Sequence, residues 1–166
     1  MKLSDILYRI KCYFNPYNVV ELSHLPCTWC DRDMLMFHAM FQILVDFVEL
    51  EHPFTHDFSM KKRFTDRKVM REKIEYSKTP KYIEENYFYS NITEMGKGIA
   101  TAEALTRAMR DEEILNLYEW YVDKKYMFEH NPCESVEQML ALGNSHDEEC
   151  NRMLHRILAI RQYLWT

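Results

Sequence analysis

The hydrophobic pattern of this chain is dominated by one segment, residues 31–52, that is apolar over nearly all of a helix circumference. Polar side chains recur within it at steps of four, four and three residues, which places them in one line along an α-helix. A helix that is apolar on most sides is normally central in its fold, so this polar line must meet water, a ligand or polar partners in the core. The polar line consists of His38, Gln42, Asp46 and Glu49.

Helical periodicity continues on both sides of the central helix. Thr79-Pro80 predicts a further helix start, because Thr caps helix N-termini and Pro is tolerated at the first helical position. We therefore predict an all-α fold in a single domain, 1–166, built as a bundle of five to seven helices around the central apolar helix (about 31–52). Other helical segments are expected over 2–14, 66–78 and 100–128.

Two capping boxes predict helix starts in the last part of the chain. Ser135 stands three residues before Gln138, and Ser145 stands three residues before Glu148. In this motif the two side chains exchange hydrogen bonds with the backbone at a helix N-terminus. We expect the last helix to cover about 146–164.

Composition limits the classes of protein that fit this chain. Its 166 residues are 47% hydrophobic and 28% charged, which suits a soluble globular domain with a sizeable core. Three Gly and five Pro are too few for a loop-rich β fold or a phosphate-binding glycine loop. The formal charge of −5 gives no general attraction to nucleic acid, and no apolar run is long enough to span a membrane.

Five cysteines, an odd number, favour reduced thiols, because the first residues lack the apolar stretch of a secretory leader and we therefore expect no export. Cys27-Thr-Trp-Cys30 has the spacing of a zinc knuckle or a redox pair, although no second pair of this kind accompanies it. The sequence leaves open whether this pair binds zinc.

The polar line is the first candidate site. It is either the solvated or satisfied polar side of a core helix, or one wall of a pocket for an organic or nucleotide ligand. A metal site is the third interpretation, in which Asp46, Glu49, Glu119 and Asp123 hold Mg²⁺. His52 extends the line to the Glu-x-x-His motif of di-metal bundles, but the chain has no second such motif.

Arg161 falls on the apolar face of the last helix. A buried guanidinium without a partner is costly. We therefore expect either an ion pair with Asp46 or Glu49 across the core, or a bidentate contact to an anionic ligand.

Aromatic side chains offer surfaces on which a base can stack. Trp29 and Arg32 stand at the entrance to the central helix, and Trp120 lies on a later helix. Core packing is the more ordinary role of such Trp residues.

Segment 61–73 is locally basic in an acidic chain. It carries seven Lys and Arg against two acidic residues. It is either a solvated helix face or a contact for phosphate or an acidic partner.

Four short motifs stand out as strings: Trp29-x-Asp-Arg-Asp, His-Ala-x-Phe-Gln-x-Leu-x-Asp-Phe-Val-Glu from His38 to Glu49, Leu117-Tyr118-x-Trp120, and the C-terminal Ile160-Arg161-x-x-Leu-Trp-Thr. In these motifs the chain resembles a family of small, functionally uncharacterised proteins encoded by tailed bacteriophages. Tyr121 stands where the family pattern has a second Trp. The resemblance implies a phage origin and action in the cytoplasm of the infected bacterial host, and it implies no particular activity.

Together these features favour a non-enzymatic phage protein that binds a small anionic or nucleotide-like ligand or a host factor. Sequestration of a host defence signal is one such role, and it needs no cofactor. The alternatives are a Mg²⁺-dependent all-α nucleotide hydrolase and a virion or assembly component, and self-association is compatible with each. The expected ligand-binding residues are His38, Gln42, Asp46, Glu49, Arg161, Trp29, Arg32 and Trp120.

Overall fold

The computed structural model describes residues 31–51, 53–54, 64–87, 93–125 and 135–164. These residues form five α-helices and one short 3-10 helix and contain no strand, which confirms the all-α fold. None of these helices combines the length and the apolar character needed to cross a membrane. In chain order they are α1 (Arg32–Leu50), α2 (Arg67–Ser77), α3 (Pro80–Tyr87), α4 (Glu94–Val122), α5 (Val136–Ile160) and the 3-10 helix η1 (Arg161–Tyr163). The segment expected over 2–14 lies outside the described residues.

The chain divides into two compact units, Met1–Gln42 and Ile43–Thr166, and the division falls inside α1. In the first unit the described residues include Phe37, whose ring centre lies 5.4 Å from that of His38 and 4.9 Å from that of Phe41. All three of these side chains are buried. The second unit holds the remaining helices. The single domain expected from the sequence stays a prediction.

Side-chain caps fix four helix starts in the second unit. In each case a side-chain oxygen accepts a hydrogen bond from one of the first backbone N–H groups, which have no partner inside the helix. Two of these starts, at Thr79 and Ser135, are those that the sequence predicts. The capping pairs are Asp66 with Val69 (3.2 Å), Thr79 with Tyr82 (3.3 Å), Thr93 with Gly96 (3.2 Å) and Ser135 with Gln138 (3.2 Å).

The predicted start of the last helix near residue 146 is wrong. α5 runs without a break from Val136 to Ile160, so the Ser-x-x-Glu pattern at Ser145 lies in its interior. Inside a helix each backbone N–H already bonds to a carbonyl four residues back. A capping box there has no donor left to satisfy, and the pattern is therefore not a start signal.

The second unit is assembled on α4, which contacts α2, α3 and α5. The first half of α4 buries a row of small side chains at steps of four residues, whereas its second half buries larger ones. Met70 and Ile74 of α2 and Ile83 of α3 are buried as well. The buried residues of α4 are Ala100, Ala104, Ala108, Ile114, Leu115, Leu117, Tyr118, Trp120 and Tyr121.

A ladder of ion pairs joins α2 and its C-cap Lys78 to α4 in antiparallel register. The basic residues are spaced by four and then seven positions along α2, and their acidic partners are spaced by the same steps in the reverse direction along α4. Complementary charges therefore face each other along both helices. Since these groups are partly exposed, each pair contributes about 1 kcal/mol or less, and the ladder mainly sets the register. The pairs are Arg67–Asp123 (N···O 2.6 Å), Arg71–Glu119 and Lys78–Glu112 (N···O 2.8 Å).

Replacing Gly98 by Ala is expected to raise the free energy of unfolding by about 0.5–1 kcal/mol, because Gly is entropically costly inside a helix. Gly98 lies within α4, and a Cβ placed there meets no atom within 4 Å. Gly143→Ala in α5 is the matched variant, since that position is equally open. Urea unfolding followed by circular dichroism measures both values, and a loss of stability in both variants would contradict the two helix assignments.

Candidate functional site

A buried hydrogen bond joins the polar line to α4. Tyr118 Oη donates to Glu49 Oε1 over 2.9 Å, and both side chains are buried. Burial of the ring and the hydrogen bond to Glu49 raise the pKa of Tyr118 well above its ordinary value. The hydroxyl therefore stays protonated and keeps donating. A carboxylate so deeply placed would be costly without such a donor.

Tyr118 is also contacted from α2. The guanidinium carbon of Arg67 lies 5.9 Å from the centre of the Tyr118 ring, within cation–π range. Arg67 Nη1 donates to Asp123, and this hydrogen bond raises the pKa of Arg67, so the guanidinium stays charged. One connected set of polar groups thus reaches from the core to the surface, from Glu49 through Tyr118 and Arg67 to Asp123.

The four members of the polar line have different environments. His38, Gln42 and Glu49 are buried, whereas Asp46 is half-buried. Each of the four has an interaction partner. Glu49 accepts a hydrogen bond from Tyr118, so its buried carboxylate has a donor within the protein. A ligand role for the other three stays a prediction.

The prediction that Arg161 is buried is wrong. Arg161 is exposed at the start of η1, where its Nη1 donates a 2.8 Å hydrogen bond to the carbonyl oxygen of Leu158. Because α5 ends at Ile160 and 3-10 geometry follows, the α-helical spacing that placed Arg161 on the apolar face no longer applies. The charge is solvated and needs no ion pair with Asp46 or Glu49.

The stacking candidates lie in different environments. Arg32 is exposed at the start of α1, whereas Trp120 is buried in α4. Trp120 therefore exposes little ring surface to a base and serves the core. Trp29 lies outside the described residues, as do Cys27 and Cys30.

Three of the four carboxylates in the magnesium hypothesis serve structural contacts. Glu119 and Asp123 pair with arginines of α2, and Glu49 accepts from Tyr118. Across the described ranges, no group of three or more His, Cys, Asp and Glu side chains is arranged to hold a metal ion. The structure therefore does not gather the proposed ligand set around one point.

Three basic residues in the described part of segment 61–73 lie against acidic residues of the same protein. Arg67 and Arg71 pair with α4, and Lys68 Nζ lies 3.9 Å from Glu72 Oε1 within α2. Residues 61–63 lie outside the described residues. Two arginines of this segment thus form ion pairs between helices, and their charges are already neutralised within the protein.

A cavity of about 220 Å³ in the second unit is lined by residues of α2, α3 and α4. Three tyrosines contribute to its wall. The rings of Tyr76 and Tyr82 meet edge to face, with centroids 5.4 Å apart and planes at 73°, and the rings of Tyr82 and Tyr87 are tilted at 59° with centroids 6.5 Å apart. On α4 the cavity is lined by the small side chains of Ala104 and Ala108, which leave space beside the rings. We call this the tyrosine cavity.

The turn between α2 and α3 holds the Tyr76 ring in place. Only Lys78 and Thr79 separate the two helices. Thr79 Oγ1 donates to the carbonyl oxygen of Tyr76 over 2.7 Å, and Tyr76 Oη donates to Glu85 Oε2 over 3.1 Å. The hydrogen bond to Glu85 raises the pKa of Tyr76, so its hydroxyl stays neutral. The ring is thus fixed from its backbone and from its hydroxyl.

Cations outnumber acids among the residues that line the tyrosine cavity. Lys73 of α2 and Arg107 of α4 both line it and are exposed, and Lys73 also has an interaction partner within the chain. Asp111 is the single acidic residue in the lining, and Arg110 Nη2 lies 3.5 Å from its Oδ1. The cavity therefore combines aromatic walls with a positive rim.

The tyrosine cavity cannot be recognised in the sequence, because its lining residues come from several separate segments. Phe54 comes from the turn after α1, and the tyrosines follow no helical repeat because the turn between α2 and α3 interrupts them. The one sequence feature that points to the cavity is a local concentration of tyrosines, since residues 76–89 hold four of the eleven tyrosines.

Cys150 gives no support for a thiol nucleophile. Its Sγ lies 3.6 Å from His146 Nε2. Burial raises the pKa of the Cys150 thiol, and the carboxylates of Asp147 and Glu149 raise it further. The thiol therefore stays protonated at neutral pH, and the thiolate is the reactive form.

Tyr118→Phe is expected to lower the free energy of unfolding by about 1–3 kcal/mol, because it removes the donor to the buried Glu49 carboxylate with little change in volume. Urea unfolding at neutral pH measures the change. Tyr163→Phe is the matched control, since Tyr163 is exposed, and a change within about 0.5 kcal/mol is expected there. Equal losses in the two variants would contradict the role of the hydrogen bond.

The same hydrogen bond predicts a dependence on alkaline pH. The pKa of Tyr118 in the folded state is raised above the value of about 10 for an unfolded chain. The stability that this hydrogen bond contributes is therefore fully present below about pH 10 and is lost as the pH rises through the folded-state pKa. Urea unfolding across this range should show the native chain losing its advantage over Tyr118→Phe above about pH 10. A constant difference up to about pH 11 would argue against the assignment.

Comparison with known proteins adds no family: no protein-family model, curated protein or solved structure matches the chain. The resemblance to tailed-phage proteins therefore stays a prediction. What supports a function is the geometry of the tyrosine cavity.

Proposed function

We propose that this chain is a binding protein for a small anionic, nucleotide-like molecule, which it holds in the tyrosine cavity. The observation that carries the proposal is the presence of three tyrosine rings and the exposed cation Arg107 around one cavity, together with Lys73, which also has an interaction within the chain. Tyrosine rings stack on planar bases, and Lys and Arg attract phosphate or carboxylate groups.

The volume of the cavity indicates which part of the ligand enters it. An apolar cavity of roughly 150 Å³ holds a benzene-sized ring. The tyrosine cavity, at about 220 Å³, suits a group the size of a nucleobase. It is smaller than the roughly 300–1,000 Å³ of sites that enclose a whole drug-sized ligand. The sugar and phosphate of a nucleotide would therefore stay at the rim beside Lys73 and Arg107.

A binding role of this kind suits the phage setting that the sequence suggests. A protein that holds a nucleotide-like signal without converting it lowers the free concentration of that signal in the cytoplasm of the infected cell. Sequestration of a host defence signal follows from this without further chemistry. The hydrolase alternative needs Glu119 and Asp123 as magnesium ligands, and arginines of α2 already engage both carboxylates.

Isothermal titration tests the proposal with adenosine and guanosine monophosphates, their cyclic forms, and the uncharged nucleosides adenosine and guanosine. We expect the nucleotides to bind, and the nucleosides to bind about tenfold more weakly because they lose the charge-assisted contacts at the rim. Flat traces for every compound would overturn the proposal.

Two variants separate stacking from charge. Tyr82→Leu removes a ring but keeps an apolar side chain, and it is expected to weaken nucleotide and nucleoside binding alike by about tenfold. Arg107→Gln is expected to weaken nucleotide binding alone. Arg161→Gln is the matched control, because Arg161 is an exposed arginine in η1, away from the cavity lining, that the sequence alone suggests as an anion-binding residue. An equal loss with Arg161→Gln would place the ligand outside the tyrosine cavity.

A further inference from the structure

The lining of the tyrosine cavity contains one carboxylate, that of Asp111 on α4. Asp111 follows Arg107 by four residues and Ala108 by three, so these residues lie on one face of the helix and share the cavity. The side chain of Asp111 is only 20% exposed, whereas Arg107 is exposed. Along this face α4 thus places a cation at the rim and, one turn later, a carboxylate that is largely withdrawn from water.

The Asp111 carboxylate has the capacity to accept hydrogen bonds from a ligand. Arg110 Nη2 lies 3.5 Å from its Oδ1, and Asp111 has a further interaction within the chain. An ionised carboxylate is purely an acceptor, and its two oxygens offer about four positions for donors. An ion pair neutralises part of the charge, but the carboxylate can still accept from a group that enters the cavity.

Two hydroxyl groups of the lining have already used their hydrogens. Ser77 Oγ donates to the carbonyl oxygen of Ile74 over 2.7 Å, and Tyr76 Oη donates to Glu85 Oε2 over 3.1 Å. A hydroxyl has one hydrogen to donate and two lone pairs with which to accept. For a ligand, both hydroxyls are therefore acceptors, as the carboxylate of Asp111 is.

A lining rich in acceptors distinguishes planar bases by the donors that they carry. Stacking on tyrosine does not, because every base has a π-face. Guanine has two adjacent donors on its Watson–Crick edge, N1–H and the N2 amino group, and their spacing matches the two oxygens of a carboxylate. Adenine has an acceptor at N1, and hypoxanthine lacks the amino group.

We propose that the tyrosine cavity prefers guanine nucleotides and that Asp111 reads the base by accepting from N1–H and the N2 amino group. This inference rests on the proposed function, since it specifies which base the cavity holds. The phosphate stays at the rim beside Arg107, one turn of α4 before Asp111. Hydrogen bonds to a charged acceptor are stronger than neutral ones, so Asp111 contributes most of the discrimination between bases.

Isothermal titration of the full chain with four nucleoside monophosphates tests the preference. Compared with guanosine monophosphate, inosine monophosphate lacks the amino group, adenosine monophosphate lacks N1–H, and xanthosine monophosphate has a carbonyl oxygen in place of the amino group. We expect guanosine monophosphate to bind at least tenfold more tightly than each of the others, because a site built around a withdrawn acceptor rejects analogues without the donor. Xanthosine monophosphate should bind most weakly, since its oxygen meets the carboxylate.

Asp111→Asn separates base reading from a purely structural role. The amide has nearly the same size as the carboxylate, but it presents one acceptor and one donor group. N1–H and the C2 carbonyl oxygen of xanthine match that pattern. We expect the variant to bind guanosine monophosphate at least tenfold more weakly than the native chain does, and xanthosine monophosphate about tenfold more tightly. A residue that only supports the fold cannot produce this gain.

Glu113→Gln is the matched control for the loss of one carboxylate from α4. The Glu113 side chain is 30% exposed, it pairs with Arg156, and it lies outside the cavity lining. The order of the four affinities should stay as in the native chain. Urea unfolding of Asp111→Asn checks that the variant is folded, and the comparison of nucleotides on the native chain requires no variant.

The outcomes distinguish this inference from the proposed function. Equal affinities of the native chain for the guanosine, inosine and adenosine monophosphates would overturn the guanine preference and leave nucleotide binding in the cavity standing. Flat traces for all four compounds would overturn both. A preference for guanosine monophosphate that persists unchanged in Asp111→Asn would contradict the role of Asp111.

Discussion

The hydrogen bond from Tyr118 to the buried carboxylate of Glu49 is the interaction on which the second unit depends. A carboxylate that is only 8% exposed needs a donor, and Tyr118 supplies it from α4. Arg67 lies over the same ring and pairs with Asp123, which begins the ladder that sets α2 on α4. Because α3 follows α2 after two residues, this one register also decides where the tyrosine cavity forms.

The small side chains of α4 determine how close its neighbours come. Ala100, Ala104 and Ala108 are buried at steps of four residues, so α2 and α3 pack against a helix face with little side-chain volume. Two of them, Ala104 and Ala108, line the tyrosine cavity and leave room beside the rings of Tyr76, Tyr82 and Tyr87. Larger side chains at these two positions would occupy part of the cavity.

Charge is distributed unevenly over the helices of the second unit. Acidic residues of α4 pair with Arg67 and Arg71, whereas Lys73 and Arg107 stand at the tyrosine cavity and give it a positive rim. A chain with a formal charge of −5 thus has a locally positive surface beside this cavity.

The sequence by itself determined the all-α class, the helix over 66–78, the starts at Thr79 and Ser135, and the polar line of α1, because periodicity and capping are encoded within a few neighbouring residues. Only the tertiary structure decided what each polar group meets. Glu49 finds its donor 69 residues away, and the tyrosine cavity joins three helices and a turn. Arg161 lies off the apolar face because α5 ends at Ile160 and 3-10 geometry begins at Arg161. Contacts between distant segments depend on how helices pack, and no local pattern carries that information.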